Sequence, residues 1–535
     1  MSTATQPQPV YIAGQWRAAS CESASSVYQA TNPSNLELLP PVFPISTWRD
    51  CDAALNAAAE AYQQLRAIPR DQIARFLEAY ADRIDAAKDR IVETAHHETA
   101  LPVSPRLADV ELPRTTNQLR LAAAACRSGD WASATIDTKA GIRSCYESLG
   151  PVCVFGPNNF PFAFGSVSGG DFAAAIATGN PVIGKANSSH PHTTKLFAEE
   201  AAEALRETQL PAATVQLLYR LDHADGMRLV ADPRVGATGY TGSRGAGLAL
   251  KSAADKAGKP IYLELSSVNP VVMLPGALAE RGDAVAKDFI TSALMGTGQF
   301  CTSPGVVLLI KGETTDAFVD AVASAYQQNA PGTLLSPAVT KSLGSGVKTL
   351  LDAGATLVCG GGEAIEGRCA RANTLMTTTG SKFLDDPETF QTEAFGNASL
   401  LVIADDIDQL VRVVRSLEGN LTGCVYSAND GRDDANYAPV ADALQQKVGR
   451  LLNDKMPTGV AVSSAMNHGG PYPSTGHPGF TAVGIPASLP RFAKLTCFDN
   501  VRHDRLPEIL RDANPTGKTW RLIDGVWTQA DVASS

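Results

Sequence analysis

No stretch of the 535 residues approaches the roughly 18 consecutive apolar positions of a membrane span. The polar, proline-containing opening, residues 1–10, lacks the basic-then-apolar order of a leader, so no signal peptide is expected. Cysteine-pair motifs are missing too: the ten cysteines are scattered from Cys21 to Cys497 without one Cys-x-x-Cys. No Cys/His group shows zinc-ligand spacing, and His96-His97 reads as one helix face, so no metal site is expected. Free thiols without a leader point to the reducing cytoplasm. Positive charge is in deficit, 45 Lys and Arg against 55 Asp and Glu, a net charge of −10. Repulsion from phosphate then argues against nucleic acid or an anionic membrane as partner. There is no Gly-x-Gly-x-x-Gly fingerprint and no tandem repeat of 20–50 residues.

What is present is a long, ordinary globular composition, 44% apolar and 19% charged. It is enough for two to four domains of roughly 100–200 residues. Residues 1–45 are rich in Pro, Ser and Asn and read as an extended arm with short strands at Tyr11-Ile12 and Gly14-Gln15-Trp16, outside any core. Apolar positions at helical spacing predict helices across 47–99, broken at Pro69, and across 107–126. Residues 131–150 alternate like a hairpin. From Pro151 a βα rhythm begins, with buried strands at 151–156, 181–184, 214–218, 236–240 and 261–265 and helices between them. That alternation predicts a doubly wound parallel sheet, the arrangement that binds nucleotides. A second alternation follows, with strands at 271–274, 306–310, 355–358 and 400–403 and helices at 282–295, 315–327, 338–352 and 407–417. Residues 467–484, rich in Gly and Pro, must be irregular.

Chemistry concentrates in loops that follow strands or turns. Cys301 stands in Gly296-Thr297-Gly298-Gln299-Phe300-Cys301-Thr302-Ser303-Pro304-Gly305, beyond a long helix and before Val306-Val307-Leu308-Leu309-Ile310. Backbone N–H groups around such a thiol lower its pKa and can hold an oxyanion, whereas a cysteine alone is as well read as inert and buried. In Gly156-Pro157-Asn158-Asn159-Phe160-Pro161, Asn159 can offer its amide to an oxyanion or simply serve the turn. In Gly184-Lys185-Ala186-Asn187-Ser188, Lys185 can donate to a ribose or be a solvated strand end. In Gly239-Tyr240-Thr241-Gly242-Ser243-Arg244-Gly245-Ala246-Gly247, Ser243 can cap a helix or meet a phosphate at its N-terminus. Glu264 ends an apolar strand in Leu263-Glu264-Leu265-Ser266-Ser267-Val268-Asn269-Pro270, as a desolvated general base or a paired structural acid.

In order and spacing these loops, with Gln299-Phe300-Cys301-Thr302 and Glu393-Ala394-Phe395-Gly396, resemble the aldehyde dehydrogenase superfamily over roughly residues 30–500. The runs at 267–278, at 298–305 and at Met466-Asn467-His468-Gly469-Gly470-Pro471-Tyr472-Pro473 are similar to the branch that oxidises 2-oxoglutarate semialdehyde (2,5-dioxopentanoate), itself similar to NADP-preferring fatty-aldehyde enzymes. The resemblance implies an NAD(P)-dependent oxidation of an aldehyde to an acid through a thiohemiacetal and a thioester on Cys301. Asn159 would hold the oxyanion and Glu264 would activate water. Glu393 and Phe395 would meet the nicotinamide end of NADP or NAD, Lys185 and Ser188 the adenosine ribose, and Gly242 and Ser243 the pyrophosphate.

It also implies an α/β fold in parts: a Rossmann-like cofactor domain (1–130 and 151–264), an α/β catalytic domain (265–465), a small β oligomerisation flap (131–150 and 485–500) and a C-terminal extension (502–535). A homodimer or homotetramer is expected, with a small aldehyde as partner. Departures are Asn158 for the usual Trp, Ser188 for a Glu that repels a 2′-phosphate, Ser266 and Ser267 for a Gly pair, and Asn397 for a Pro. Two alternatives stay open: a medium- or long-chain aliphatic aldehyde, suggested by Phe160, Phe162 and Phe164, and a non-catalytic binding relative.

Overall fold

Strands covered on both faces of a parallel sheet need continuous apolar runs, and Val152–Phe155 is buried at every position. In this computed structural model, which describes residues 6–20, 26–361 and 364–533, that strand is where the chain turns outward in both directions. Cys21 lies outside the described residues. The sheet runs Ile261–Glu264, Ala237–Thr241, Val152–Phe155, Val182–Lys185, Val215–Leu218, Val10–Ile12, Gln15–Arg17. Its first five strands are parallel. Strand order reverses between Val152–Phe155 and Ala237–Thr241, the switch point beside which open α/β sheets place their ligand crevice. The loops bearing Asn159 and Ser243 leave from these two strands.

The N-terminal arm, expected outside the core, is part of it. Tyr11 pairs antiparallel with Leu217, and Val10, Tyr11 and Ile12 are all buried. The short strands expected at 11–12 and 14–16 form as Val10–Ile12 and Gln15–Arg17, but three residues are too few to show in the sequence that the first is buried in a sheet. The helices expected across 47–99 form as Trp48–Leu65, Arg70–Ala86 and Lys88–Thr99, and Pro69 stands directly before the second. Thr47 and Asp50 close a reciprocal cap on the first.

A second seven-stranded sheet runs Thr356–Cys359, Thr374–Thr379, Ala398–Ala404, Val306–Ile310, Val271–Met273, Asn420–Tyr426, Val448–Asn453, parallel except at its first pair. The helix expected at 282–295 starts earlier, at Pro275, because the Asp433 carboxylate accepts from the N–H groups of Gly276 (3.0 Å) and Ala277 (2.9 Å) at its first turn. A kink at Arg281 (φ −147°) divides it.

A third sheet has five strands in the order Ala493–Asp499, Ile142–Ser148, Thr135–Asp137, Arg521–Ile523, Val526–Thr528. The tail, expected as a separate extension, is thus stitched to the hairpin at 135–148. Arg521 is fully buried and donates to the carbonyls of Asp512 (3.0 Å) and Ala530 (2.8 Å). Asp524 accepts from the backbone N–H (2.8 Å) and hydroxyl (2.7 Å) of Thr138.

Candidate active site

Cys301 is delivered by a turn that most residues avoid. The helix Pro275–Leu294 ends, and Gly296, Thr297 and Gly298 follow at φ +55°, +60° and +68°. A side chain on Gly298 would stand 2.1 Å from the Gly396 carbonyl oxygen, so the thiol loop and the 393–396 loop touch backbone to backbone. Asn269, itself at φ +46°, donates its amide to the carbonyls of Cys301 (2.8 Å) and Ser303 (2.9 Å). The side chain of Asn159 donates to the Gln299 carbonyl (2.9 Å), two residues before the thiol, and its second amide hydrogen meets no acceptor among the described residues.

Glu264 ends its strand buried. The irregular segment that includes 467–484 crosses it there, Leu265 N–H donating to the Ser474 carbonyl (2.8 Å). That crossing brings in a residue absent from the sequence-derived site. The Nε2 of His468 lies 2.8 Å from Glu264 Oε1 and 3.5 Å from Cys301 Sγ. The ring is buried and its backbone N–H donates to Thr481 Oγ1 (2.7 Å). In the sequence it stands, without a role, in the Gly/Pro-rich stretch 467–484 and in the branch-similar run 466–473. Glu264 Oε2 is buried with no hydrogen-bond partner among the described residues. Ligand atoms of Glu264, Cys301 and His468 lie within 4.8 Å of one another, so the fold gathers a possible metal-ligand set that no local spacing announced.

The thiol pKa does not follow the sequence expectation. Burial pushes Cys301 well above its ordinary range, the charge of Glu264 adds to this, and Arg114 acts in the opposite direction. The backbone N–H groups of the turn do not offset a desolvated sulfur facing a carboxylate. The resting thiol therefore carries its proton, and a base must take it.

A cleft of about 1050 Å³ opens beside the sulfur, lined by Asn159, Gly242, Ser243, Glu264, Cys301, Glu393 and Phe395 among others. Ser243 occupies the N-cap of Arg244–Lys256 in extended backbone without spending its side chain on a capping bond. Gly242 is held by donation to the Glu264 carbonyl (3.1 Å). Burial raises the Glu393 carboxyl, opposed by hydrogen bonds from the Ser266 hydroxyl and the Ser267 N–H (3.3 Å).

The serines that replace the glycine pair thus tie the Glu264 loop to Glu393, and the Ser267 hydroxyl accepts from Leu421 N–H (3.0 Å). Asn397 is buried and donates to Asn373 Oδ1 (2.7 Å) and to the Arg371 carbonyl (3.0 Å). Lys185 and Ser188 do not line this cleft, although Ser189 of the same loop does. Lys185 is pushed down to about 8, by burial and then by the charge of Arg220, a nearby cation that no motif singled out. The three phenylalanines separate: Phe162 packs in the core against Phe197, while Phe160 and Phe164 meet each other, with Phe300 against Phe160 and His468 against Phe164.

Comparison with known proteins identifies the family. The pattern of the aldehyde dehydrogenase family matches residues 20–470. Alpha-ketoglutaric semialdehyde dehydrogenase 2 of Azospirillum brasilense is 40% identical over 518 residues, 94% of this chain and 96% of that protein. Alpha-ketoglutaric semialdehyde dehydrogenase of Acinetobacter baylyi is 35% identical over 530 residues, 97% and 98% of the two chains. Among solved structures, a variant aldehyde dehydrogenase of Pseudomonas syringae in complex with NAD+ and octanal superposes with a TM-score of 0.77 at 18% identity, covering 92% of this chain and 97% of that one. That likeness speaks to the fold.

Proposed function

This chain belongs to the aldehyde dehydrogenase family, and we propose that it oxidises 2-oxoglutarate semialdehyde to 2-oxoglutarate with NADP as the preferred cofactor. The meeting of Cys301, Glu264, His468 and Asn159 from four distant segments carries this proposal. The two relatives named for that semialdehyde, each matched over nearly its whole length, support the substrate.

Cys301 attacks the aldehyde carbon after giving its proton to the Glu264 carboxylate, which His468 Nε2–H holds in place by donating to it, and Glu264 passes that proton to solvent before the next step. The free amide hydrogen of Asn159 and backbone N–H groups of the thiol loop hold the oxyanion of the resulting thiohemiacetal. Ser243, Gly242, Glu393 and Phe395 would hold NAD(P) in the cleft, and the bound cofactor would supply the hydride acceptor. A thioester then remains on Cys301. Glu264, through the oxygen that no donor of the described residues engages, takes a proton from the water that hydrolyses it. Release of a free acid, rather than transfer to another thiol, follows from the presence of this base.

NADP preference is supported by Ser188 in place of an acid and by Arg220 near Lys185, two cations for a 2′-phosphate. Oligomerisation through the third sheet is supported by its edge strand Ala493–Asp499, whose Leu495 is 62% exposed. A second substrate class, medium-chain aliphatic aldehydes, is supported by the aromatic wall of Phe160, Phe164 and Phe300. Steady-state kcat/KM for the semialdehyde and for octanal, each with NADP and with NAD, tests both. Preference for octanal rejects the substrate, and preference for NAD rejects the cofactor.

A further inference from the structure

Behind the thiol loop, outside the residues that line the cofactor cleft, two guanidinium groups face an aromatic wall. Arg106 lies in the π-helical segment Val103–Glu111 and Arg114 in the following helix, Leu112–Ser128. Arg106 Cζ stands 4.2 Å from the ring centre of Phe160 and 5.4 Å from that of Phe300. Arg114 Cζ stands 5.9 Å from Phe160 and 5.3 Å from Phe164. Phe300 precedes the nucleophile, and the Phe164 ring is 5.7 Å from that of His468. The wall therefore reaches from the reacting sulfur to both cations.

The two arginines differ in what they are already doing. Arg106 spends both terminal nitrogens, Nη1 on the Glu111 carboxylate (2.5 Å) and Nη2 on the Asn159 carbonyl (2.9 Å), leaving only its Nε without a partner among the described residues. Arg450, which also feels the charge of Cys301, spends its Nη groups on the carbonyls of Pro457 (2.8 Å) and Gly459 (3.2 Å). Arg114 has only a long contact from Nε to Gln118 Oε1 (3.5 Å), and its Nη2 is buried with no hydrogen-bond partner among the described residues. No carboxylate of the described residues forms an ion pair with it. The nearby acid, Glu111, is engaged by Arg106 and by the N–H groups of Phe162 and Ala163. A desolvated cation with an unused donor is expensive unless an anion meets it. The group nonetheless lies close enough to Cys301 to act on its charge.

We propose that Arg114 anchors the remote carboxylate of the substrate, so that this enzyme selects aldehydes whose far end is an anion. The inference rests on the dicarboxylic semialdehyde reading above and names the residue that enforces it. The aldehyde carbon meets Cys301, the methylenes lie along Phe160, Phe164 and Phe300, and the carboxylate accepts from the guanidinium, whose planar fork suits it.

The test compares 2-oxoglutarate semialdehyde with pentanal, an uncharged aldehyde of equal carbon number, in the wild type and in Arg114→Gln and Arg114→Lys. For the wild type, kcat/KM favours the semialdehyde. In Arg114→Gln the ratio of the two kcat/KM values falls about 10- to 100-fold, carried by KM for the semialdehyde, and Arg114→Lys regains part of it. If Arg114→Gln instead slows both aldehydes equally and moves the alkaline limb of the pH profile, Arg114 acts on the thiol and the proposal is overturned. An unchanged ratio overturns it as well, while a wild-type semialdehyde preference still standing leaves the substrate assignment intact. A wild type that favours pentanal removes the substrate assignment and the proposal with it.

Discussion

On the thiol side of the cleft, Asn159, Glu264, Cys301 and Glu393 are each gripped by a partner from another segment: Gln299, His468, Asn269 and the Ser266-Ser267 pair. On the strand-end side, Lys185 and Ser188 stand half-buried beside an exposed Arg220. The difference fits the work proposed for each side. Bond making requires reacting atoms held in a near-attack geometry, where a displacement of about 1 Å costs orders of magnitude in rate. Attraction between cations and a phosphate falls off gently with distance, so less fixation is needed.

The comparison is broken most sharply at the sulfur. Cys301→Ala should lower kcat/KM by about 10⁴-fold or more, while cofactor affinity, read by fluorescence titration, stays within a few-fold. His468→Ala should lower kcat/KM by about 10²- to 10⁴-fold at neutral pH. Because the buried thiol titrates above its ordinary range, part of that loss should return as pH rises. A variant with a wild-type pH profile would show that His468 does not support deprotonation of the thiol. Gly298→Ala places a methyl against the Gly396 carbonyl at a left-handed position. It should cost about 1–3 kcal/mol in thermal or urea unfolding and roughly 10- to 100-fold in kcat through displacement of the thiol. The smallest effect belongs to the other side. Lys185 carries its charge below about 8 and loses it above. NADP affinity should therefore weaken several-fold between pH 7 and pH 9.5, and Lys185→Arg, which keeps its charge, should flatten that dependence in calorimetric titrations.

Legibility of the chain from its sequence followed the length and regularity of the signal. The helices at 47–99 and the βα rhythm from Pro151 declared themselves because apolar spacing repeats over many residues. Asn420–Tyr426 and Val448–Asn453 escaped notice; their polar and glycine positions, Asn420, Thr422, Gly423, Gly449 and Arg450, interrupt the apolar run that marks a buried strand. The thiol, carboxylate and amide that the fold brings together were legible through motif order. His468 was not, because its role depends on a segment without regular structure crossing the end of a strand some 200 positions earlier, a separation of 204 residues to Glu264. Arg114 was hidden for a related reason: on an amphipathic helix a basic residue looks like surface, and only the walls around it show that it faces inward.

The third sheet carries a consequence for how the chain acquires its shape. Ile142–Ser148 pairs with Ala493–Asp499, and Thr135–Asp137 pairs with Arg521–Ile523, partners separated by more than 300 residues. Contacts so remote cannot form until synthesis has passed residue 499 and then residue 523, and their loop-closure entropy falls due before any pairing rewards it. The hairpin at 135–148 must therefore wait as an unfinished edge while both large sheets mature, which makes its completion a late event in biogenesis and the stage at which a nascent chain is most open to capture by a neighbour.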